Sequence, residues 1–560
     1  MSYNLKQCKY KNGKIFLEIV DSVYVKSKGY SIPVVIEKLG YLDDLRQIYV
    51  DPISFFKNKA KLMEAERKQS NNFIPRQSQE LNLGSFLPLH VLNLLKLDDL
   101  SRAIDYSSKR QYSHYDVLEF LTLSRMIYPA SRIDTYTNQL SHFYKNYSFS
   151  KDQMYDGMQL IGENDQAYLE YLNTRIAKLY KRNLDHVYFD CTNYYFEIDA
   201  DSYDEYRKPG PSKENHQGAI ISMGLLLDAD AIPLYYKLFP GNQSEKPVLN
   251  EVISSMKENC DVRGKTIRVA DKGLNCTENI INAHISGDGY IYSKAIRSRD
   301  DQAMILHPDG YEEMKDEYGN VIFKCKTWID SYEYSFNGRT YKLKEKRMVI
   351  WSRKYAEKAR YEREKAMHKV ETSSSTSSLK QSLASKAIDT LYDVISDDDG
   401  CILNSHDISL VLNESKLSKK EELDGYYMIV TSETYLSWKD VLDTYRKLWE
   451  IEASFRLTKS QFQARPIFAS TEYGIRGHFF ICYLALTLTR LIQKKELDNQ
   501  FNAERIIDFI RTLKAFPVSN EQFLLSGSYQ DIIQGIEKRY GLKFNVKTIS
   551  LDKLQKLFSF

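Results

Sequence analysis

Residues 186–198 read HVYFDCTNYYFEI, a β-branched and aromatic run interrupted by one carboxylate, Asp190. Such a run predicts a strand, and a charge inside a buried strand costs free energy unless a partner or a metal compensates it. Working outward, GAIISMGLLLD (218–228) and IPLYYKLFPGN (232–242) read as two more strands joined by short turns. Then come a helix (247–259), a strand ending at Asp271, a helix (276–286) and a strand (289–296). Hairpin-linked strands followed by strands alternating with helices predict an α/β fold built on a mixed sheet with flanking helices.

The flanks read differently. Residues 13–50 carry short-strand alternation, 52–85 read as a polar helix and linker, and 87–180 repeat apolar residues at helical spacing. Downstream, 300–425 interrupt the α/β pattern as a β-rich insertion. It has hairpin signals at Gly319-Asn320 and Asn337-Gly338, a charged helix and the Ser/Thr patch TSSSTSS (372–378), read as a loop. GYYMIVTS (425–432) resumes the strands and leads into a long helix from about Tyr445 to Gln463. The expected divisions are 1–85 (small β unit with linker), 86–184 (helical), 185–299 and 426–495 (two parts of one core), 300–425 (insertion) and 496–560 (C-terminal helical region).

Composition narrows the class. Hydrophobic residues are 42% and charged residues 27% of 560, enough for a sizeable core. Seventy-eight basic against 75 acidic residues give +3, so partner choice rests on how charge is distributed, not on its total. Seven cysteines without a C-x-x-C pair argue against a zinc framework and a disulfide scaffold. The polar start lacks the apolar core of a signal peptide, and the apolar run Phe479–Ile492 is shorter than the roughly 20 residues a bilayer needs. A soluble, cytoplasmic protein with no membrane partner is expected. Phosphate loops, H-E-x-x-H and G-x-S-x-G are absent from the sequence, and His478 on the apolar helix reads as a satisfied core residue.

Two aspartates stand out, Asp190 within its strand and Asp271 where TIRVA gives way to the turn DKGLN. Taken singly, each is more often a turn former or a cap. The helix YRKLWEIEASFRLTKSQ (445–461) adds a third acid: Tyr445, Leu448, Glu452, Phe455 and Lys459 fall along one face, with Arg456 close to it. The plain reading of that face is an ion pair of Glu452 with Arg456. Glu450, two residues from Glu452, projects from the opposite side and is expected in solvent. Three carboxylates on a sheet and a flanking helix can hold two Mg²⁺ ions about 3.5–4 Å apart, an arrangement suited to in-line phosphoryl transfer.

YFDCTNYYFE, LFPGNQSE, RVADKGL and YRKLWEIEASFRLTKSQFQARPIF together resemble the DDE transposases of bacterial insertion sequences, of the insertion-sequence-four superfamily. The resemblance implies a ribonuclease-H-like core interrupted by a β-rich insertion. It implies catalytic and metal-binding roles for Asp190, Asp271 and Glu452, and two Mg²⁺ ions for which Mn²⁺ can substitute. Tyr445, Arg456 and Lys459 become DNA phosphate contacts. In the family's last motif, Tyr445, Glu452 and Lys459 keep their spacing, while the arginine position is Leu448, with Arg446 nearby. The implied partners are DNA, both element ends and target, and a second copy of the chain in the complex that pairs the ends. Seven basic against three acidic residues in 351–370 fit phosphate contact as well as they fit a solvated helix. The implied activity is cleavage of element ends and their joining to target DNA. The alternatives are a non-catalytic DNA-binding relative and a nuclease of the same fold without strand transfer.

Overall fold

The computed structural model describes residues 3–559 apart from 12, 26–28, 50, 62, 64–79, 109, 111, 198–205, 212–217, 260–263, 373–390, 396–408 and 520. The Ser/Thr patch 372–378, save Thr372, lies outside the described residues. The chain divides into two compact units, one made of Met1–His90, Ser131–Tyr147 and Ile507–Phe560, the other of Val91–Ala130 and Ser148–Ile506.

In the first unit β1 (Tyr3–Lys9), β2 (Ile15–Val25) and β3 (Tyr30–Tyr41) form an antiparallel meander. β2 and β3 were legible; β1 was not, because lysines at 6 and 9 break its apolar alternation. Leu17 on β2 packs with Leu42, Leu45 and Phe56 into a small core. β4 (Leu81–Asn82) borders a separate four-stranded sheet whose other strands come from beyond residue 513.

The second unit is built on one nine-stranded mixed sheet. Its strands in chain order are β5 (His186–Tyr195), β6 (Ile220–Leu227), β7 (Pro233–Pro240), β8 (Ile267–Ala270), β9 (Gly289–Lys294), β10 (Glu312–Lys315), β11 (Val321–Phe336), β12 (Arg339–Ser352) and, after the two-stranded pair β13 (Tyr392–Ile395) and β14 (Ser409–Leu412), β15 (Tyr426–Thr431). The spatial order is β10-β11-β12-β15-β9-β8-β5-β6-β7. β5, β6 and β7 pair antiparallel, whereas β5, β8 and β9 run parallel. β6 is buried along its whole length, as a central strand covered on both faces must be. The β-rich insertion does not stand apart: β10, β11 and β12 extend this same sheet through β15. The turn between β11 and β12 has Asn337 and Gly338 at φ 50° and 74°, the type I′ geometry that the Asn-Gly pair favours.

Helix Glu472–Leu491 runs through the core of this unit, continued by a π-turn to Glu496. By length and composition it could cross a bilayer, yet 94% of its apolar stretch is buried inside the fold. It is longer than the apolar run alone suggests, because Thr471 caps the amide of Gly474 and opens the helix ahead of the apolar residues. His478 is buried and bonds the Ala464 carbonyl at 2.9 Å, a satisfied core histidine as expected. Glycines let this helix and helix Lys151–Glu163 come close. A Cβ on Gly477 would overlap the Met158 carbonyl oxygen, and one on Gly162 the Tyr473 carbonyl oxygen. Gly477→Ala therefore lowers stability by about 1–3 kcal/mol, read as a fall in the urea midpoint; an unchanged midpoint means that the two helices can separate freely.

In the first unit β16 (Lys514–Pro517), β17 (Gln522–Ser526) and β18 (Thr548–Ser550) complete the small sheet in the order β18-β17-β16-β4.

Candidate functional site

The site grows from strand register. Tyr188 on β5 stands opposite Val269 on β8, and Ala270 on β8 opposite Tyr292 on β9. Carried on by the same offsets, Asp190, Asp271 and Ser293 fall in one row across three parallel strands, with about 4.8 Å between neighbours. The hydrogen bonding agrees: the Ser293 hydroxyl donates to Asp271 Oδ1 at 2.7 Å. The Tyr445 phenol donates to the same oxygen at 3.1 Å. Burial, first of all, pushes the Tyr445 phenol above the ordinary tyrosine range, so it remains a donor at neutral pH. Asp190 Oδ1 accepts from the Cys191 amide at 2.8 Å.

Helical residues close over the end of β5. The helix expected from Tyr445 to Gln463 is instead three pieces: Trp438–Arg446, Trp449–Arg456 and a π-turn at Leu457–Gln461. The Thr458 and Tyr194 hydroxyls bond each other at 2.8 Å, and Lys459 Nζ lies 5.4 Å from the Tyr194 ring centre. The following segment runs beside the strand end, where the Ile467 amide donates to the Tyr195 carbonyl at 3.1 Å.

A cleft of about 360 Å³ results, lined by Asp190, Cys191 and Thr192 from β5, by Glu452, Phe455, Arg456, Lys459 and Ser460, and by Arg465. Two carboxylates thus share a wall with three cations, a balance that suits an anionic ligand. Glu452 is exposed and carries no ion pair among the described residues. Arg456 pairs with Glu504 at 3.6 Å, so the plain alternative for this helix face, an ion pair of Glu452 with Arg456, does not form.

The structure brings Asp190, Glu452, Arg456 and Lys459 into this cleft. Asp271 and Tyr445 are not among its lining; they bond each other on the adjoining strand end. Leu448 is buried, and Arg446 reaches the Tyr427 phenol, whose pKa burial raises to about 12.

One expectation is overturned. Glu450 is not in solvent: it is 7% exposed, held by Lys494 Nζ at 2.7 Å and by the Arg490 guanidinium at 3.1 Å. The side of the helix opposite Glu452 is the protein core, and two cations from helix Glu472–Leu491 and the turn after it make a carboxylate tolerable there.

Sequence reasoning passed over Ser293. The signal for Ser293 was its place as the polar residue ending the buried run YIYS; assigning it required the β8–β9 register.

The cleft's donors are hard oxygens, the type that suits Mg²⁺, which takes one or two protein carboxylates and completes its shell with water and phosphate. Among the described residues no three His, Cys, Asp or Glu side chains stand close enough to form an all-protein cage for an ion. None of the five described cysteines forms a disulfide.

Compared with known families, the chain matches the family model described as transposase DDE domain over residues 196–488. Asp271 and Glu452 fall inside that span, and Asp190 lies six residues before it. No curated protein matches the chain.

Proposed function

Because the chain belongs to the transposase DDE-domain family, we propose that it cleaves the ends of a mobile DNA element and joins them to target DNA. Members of this family generally depend on divalent metal. The observation that carries the reading is the cleft in which Asp190 faces Glu452, Arg456 and Lys459, with Asp271, just past the end of the neighbouring strand β8, bonded to Ser293 and Tyr445. A β7-β6-β5-β8-β9 order, antiparallel and then parallel, supports a ribonuclease-H-like core within the larger sheet and a kinship with the insertion-sequence-four superfamily.

Asp190, Asp271 and Glu452 would hold the ions, two Mg²⁺ or Mn²⁺ in their place. Divalent cations bound there supply Lewis acidity to a phosphate and make a water acidic enough to attack near neutral pH. The chain's own part is positioning. Lys459 and Arg456 draw a phosphodiester into the cleft and offset its charge. Tyr445 and Ser293 fix one oxygen of Asp271 and leave the other oxygen for ligation. In hydrolysis the water oxygen bonds to phosphorus and the 3′ oxygen leaves with a proton. In joining, that 3′ hydroxyl attacks a target phosphorus, loses its proton and expels the target's own 3′ oxygen, so each step exchanges one P–O bond for another. Recognition of the ends falls to the helical region 86–184, and pairing two ends calls for at least a dimer.

The test is incubation of the protein with end-carrying DNA, a target duplex and Mg²⁺. Joined products are expected. Cleavage without joining makes the protein a nuclease, and binding without cleavage makes it a DNA-binding relative.

A further inference from the structure

We propose that the outer face of helix Arg353–Glu371 is a second DNA-backbone surface, set on the same rim of the sheet as the cleft. The inference rests on the DNA reading of the cleft.

The strand register carries it. β5, β8 and β9 run parallel; β8 and β9 end at the rim where Asp271 and Ser293 stand, while β5 carries Asp190 and continues to Tyr195. β15 is antiparallel to β9, with Met428 opposite Lys294, so β15 begins at that rim. β12 is antiparallel to β15, with Trp351 opposite Tyr426, so β12 ends there. The helix starts at the next residue but one, Arg353. Three strand spacings separate β12 from β8, about 14 Å, and a duplex covers that distance in about four base pairs. Side chains bridge the interval: Tyr445, bonded to Asp271, neighbours Tyr427, and the Tyr427 ring packs against Tyr355 of the helix at 5.4 Å.

Within the helix, cations divide by face. Arg353 is held by Asp316 at 3.0 Å and Arg363 by Asp424 at 2.6 Å, while Ala366, Met367 and Val370 pack on Leu391 and Tyr392. Those contacts mount the helix on its unit. At 100° per residue, Lys354, Lys358, Tyr361 and Lys365 form a single exposed line, with Glu357 and Glu364 on one flank and Glu362 on the other. Lys358 and Glu362 approach to 3.7 Å with both side chains mostly in water, a pair too weak to divert the lysine from a phosphate. Tyr361 is 64% exposed amid these lysines, where a ring has no core to fill but can lie against a sugar-phosphate edge.

The experiment compares the full chain with a Lys354→Ala/Lys358→Ala/Lys365→Ala variant for binding a duplex of about 40 base pairs across a salt series. Each lost phosphate contact lowers the slope of log affinity against log salt by about 0.9, so a fall of about 2.7 is expected, with affinity near 0.1 M salt reduced on the order of 10²-fold. The matching triple Lys→Arg variant keeps the parental slope. All three positions are exposed, and matching thermal unfolding confirms that the variants fold. An unchanged slope and affinity in the alanine variant overturns the proposal. So does loss of binding to polyglutamate in place of duplex, which makes the face a dock for an acidic protein. The two readings fail separately: a chain that cleaves end-carrying DNA but ignores these lysines refutes the helix surface alone. A chain that binds duplex through them yet cleaves nothing refutes the cleft assignment alone.

Discussion

Glu452→Gln is expected to abolish cleavage of end-carrying DNA while leaving the protein as stable as its parent. The substitution keeps the shape and removes one negative charge. Glu452 is exposed, lines the cleft and has no ion pair among the described residues, so the fold loses nothing when that charge goes. A surface change of this kind stays within about 0.5 kcal/mol. Chemistry is affected differently: a neutral amide cannot hold a divalent cation as a carboxylate does, and removing a member of a concerted catalytic set costs a factor on the order of 10³ or more in rate. Duplex affinity holds or rises slightly, since the cleft becomes more positive. Cleavage rates, urea unfolding and duplex binding are measured side by side, with Asp190→Asn as the companion. Full cleavage by Glu452→Gln removes Glu452 from the reaction and with it the role assigned to the cleft.

Much of this was readable in the chain, and the failures have physical causes. Asp190 and Asp271 were visible as charges in or beside buried strands, where desolvation makes an idle carboxylate expensive. Placing them in one row needed register, which depends on pairings between residues some 80 positions apart that no local pattern encodes. The spacing of Glu452 and Lys459 pointed correctly to one shared wall, although the backbone between Tyr445 and Lys459 breaks after Arg446 and loosens to a π-turn after Arg456. Helical periodicity separates two faces; it does not say which one meets water. That is why Glu450 was misassigned: helix Glu472–Leu491 looks apolar in sequence, and nothing local reveals that its Arg490 waits inside the core for a carboxylate.

Glu450→Ala makes the opposite prediction to its neighbour two residues on. Arg490 is 2% exposed, and burial, aided by the Arg456 charge, depresses its pKa, while the Glu450 carboxylate and, more weakly, Glu504 oppose that shift. Its guanidinium also donates to the Glu450 carbonyl at 3.0 Å and to the Ser454 hydroxyl at 2.9 Å, contacts that survive truncation to alanine. What does not survive is the countercharge. Removing it strands one buried guanidinium and the half-buried Lys494 ammonium together, and breaking a buried pair in this way costs about 3–5 kcal/mol. Adding Arg490→Met removes the stranded charge, fills most of the same volume and recovers much of the loss, since an apolar replacement of a whole buried pair is often neutral. Urea unfolding of Glu450→Ala, Arg490→Met and the double variant forms a cycle in which the pair should couple by more than about 1 kcal/mol. An alanine at 450 that unfolds at the parental midpoint means that the carboxylate is not needed for folding.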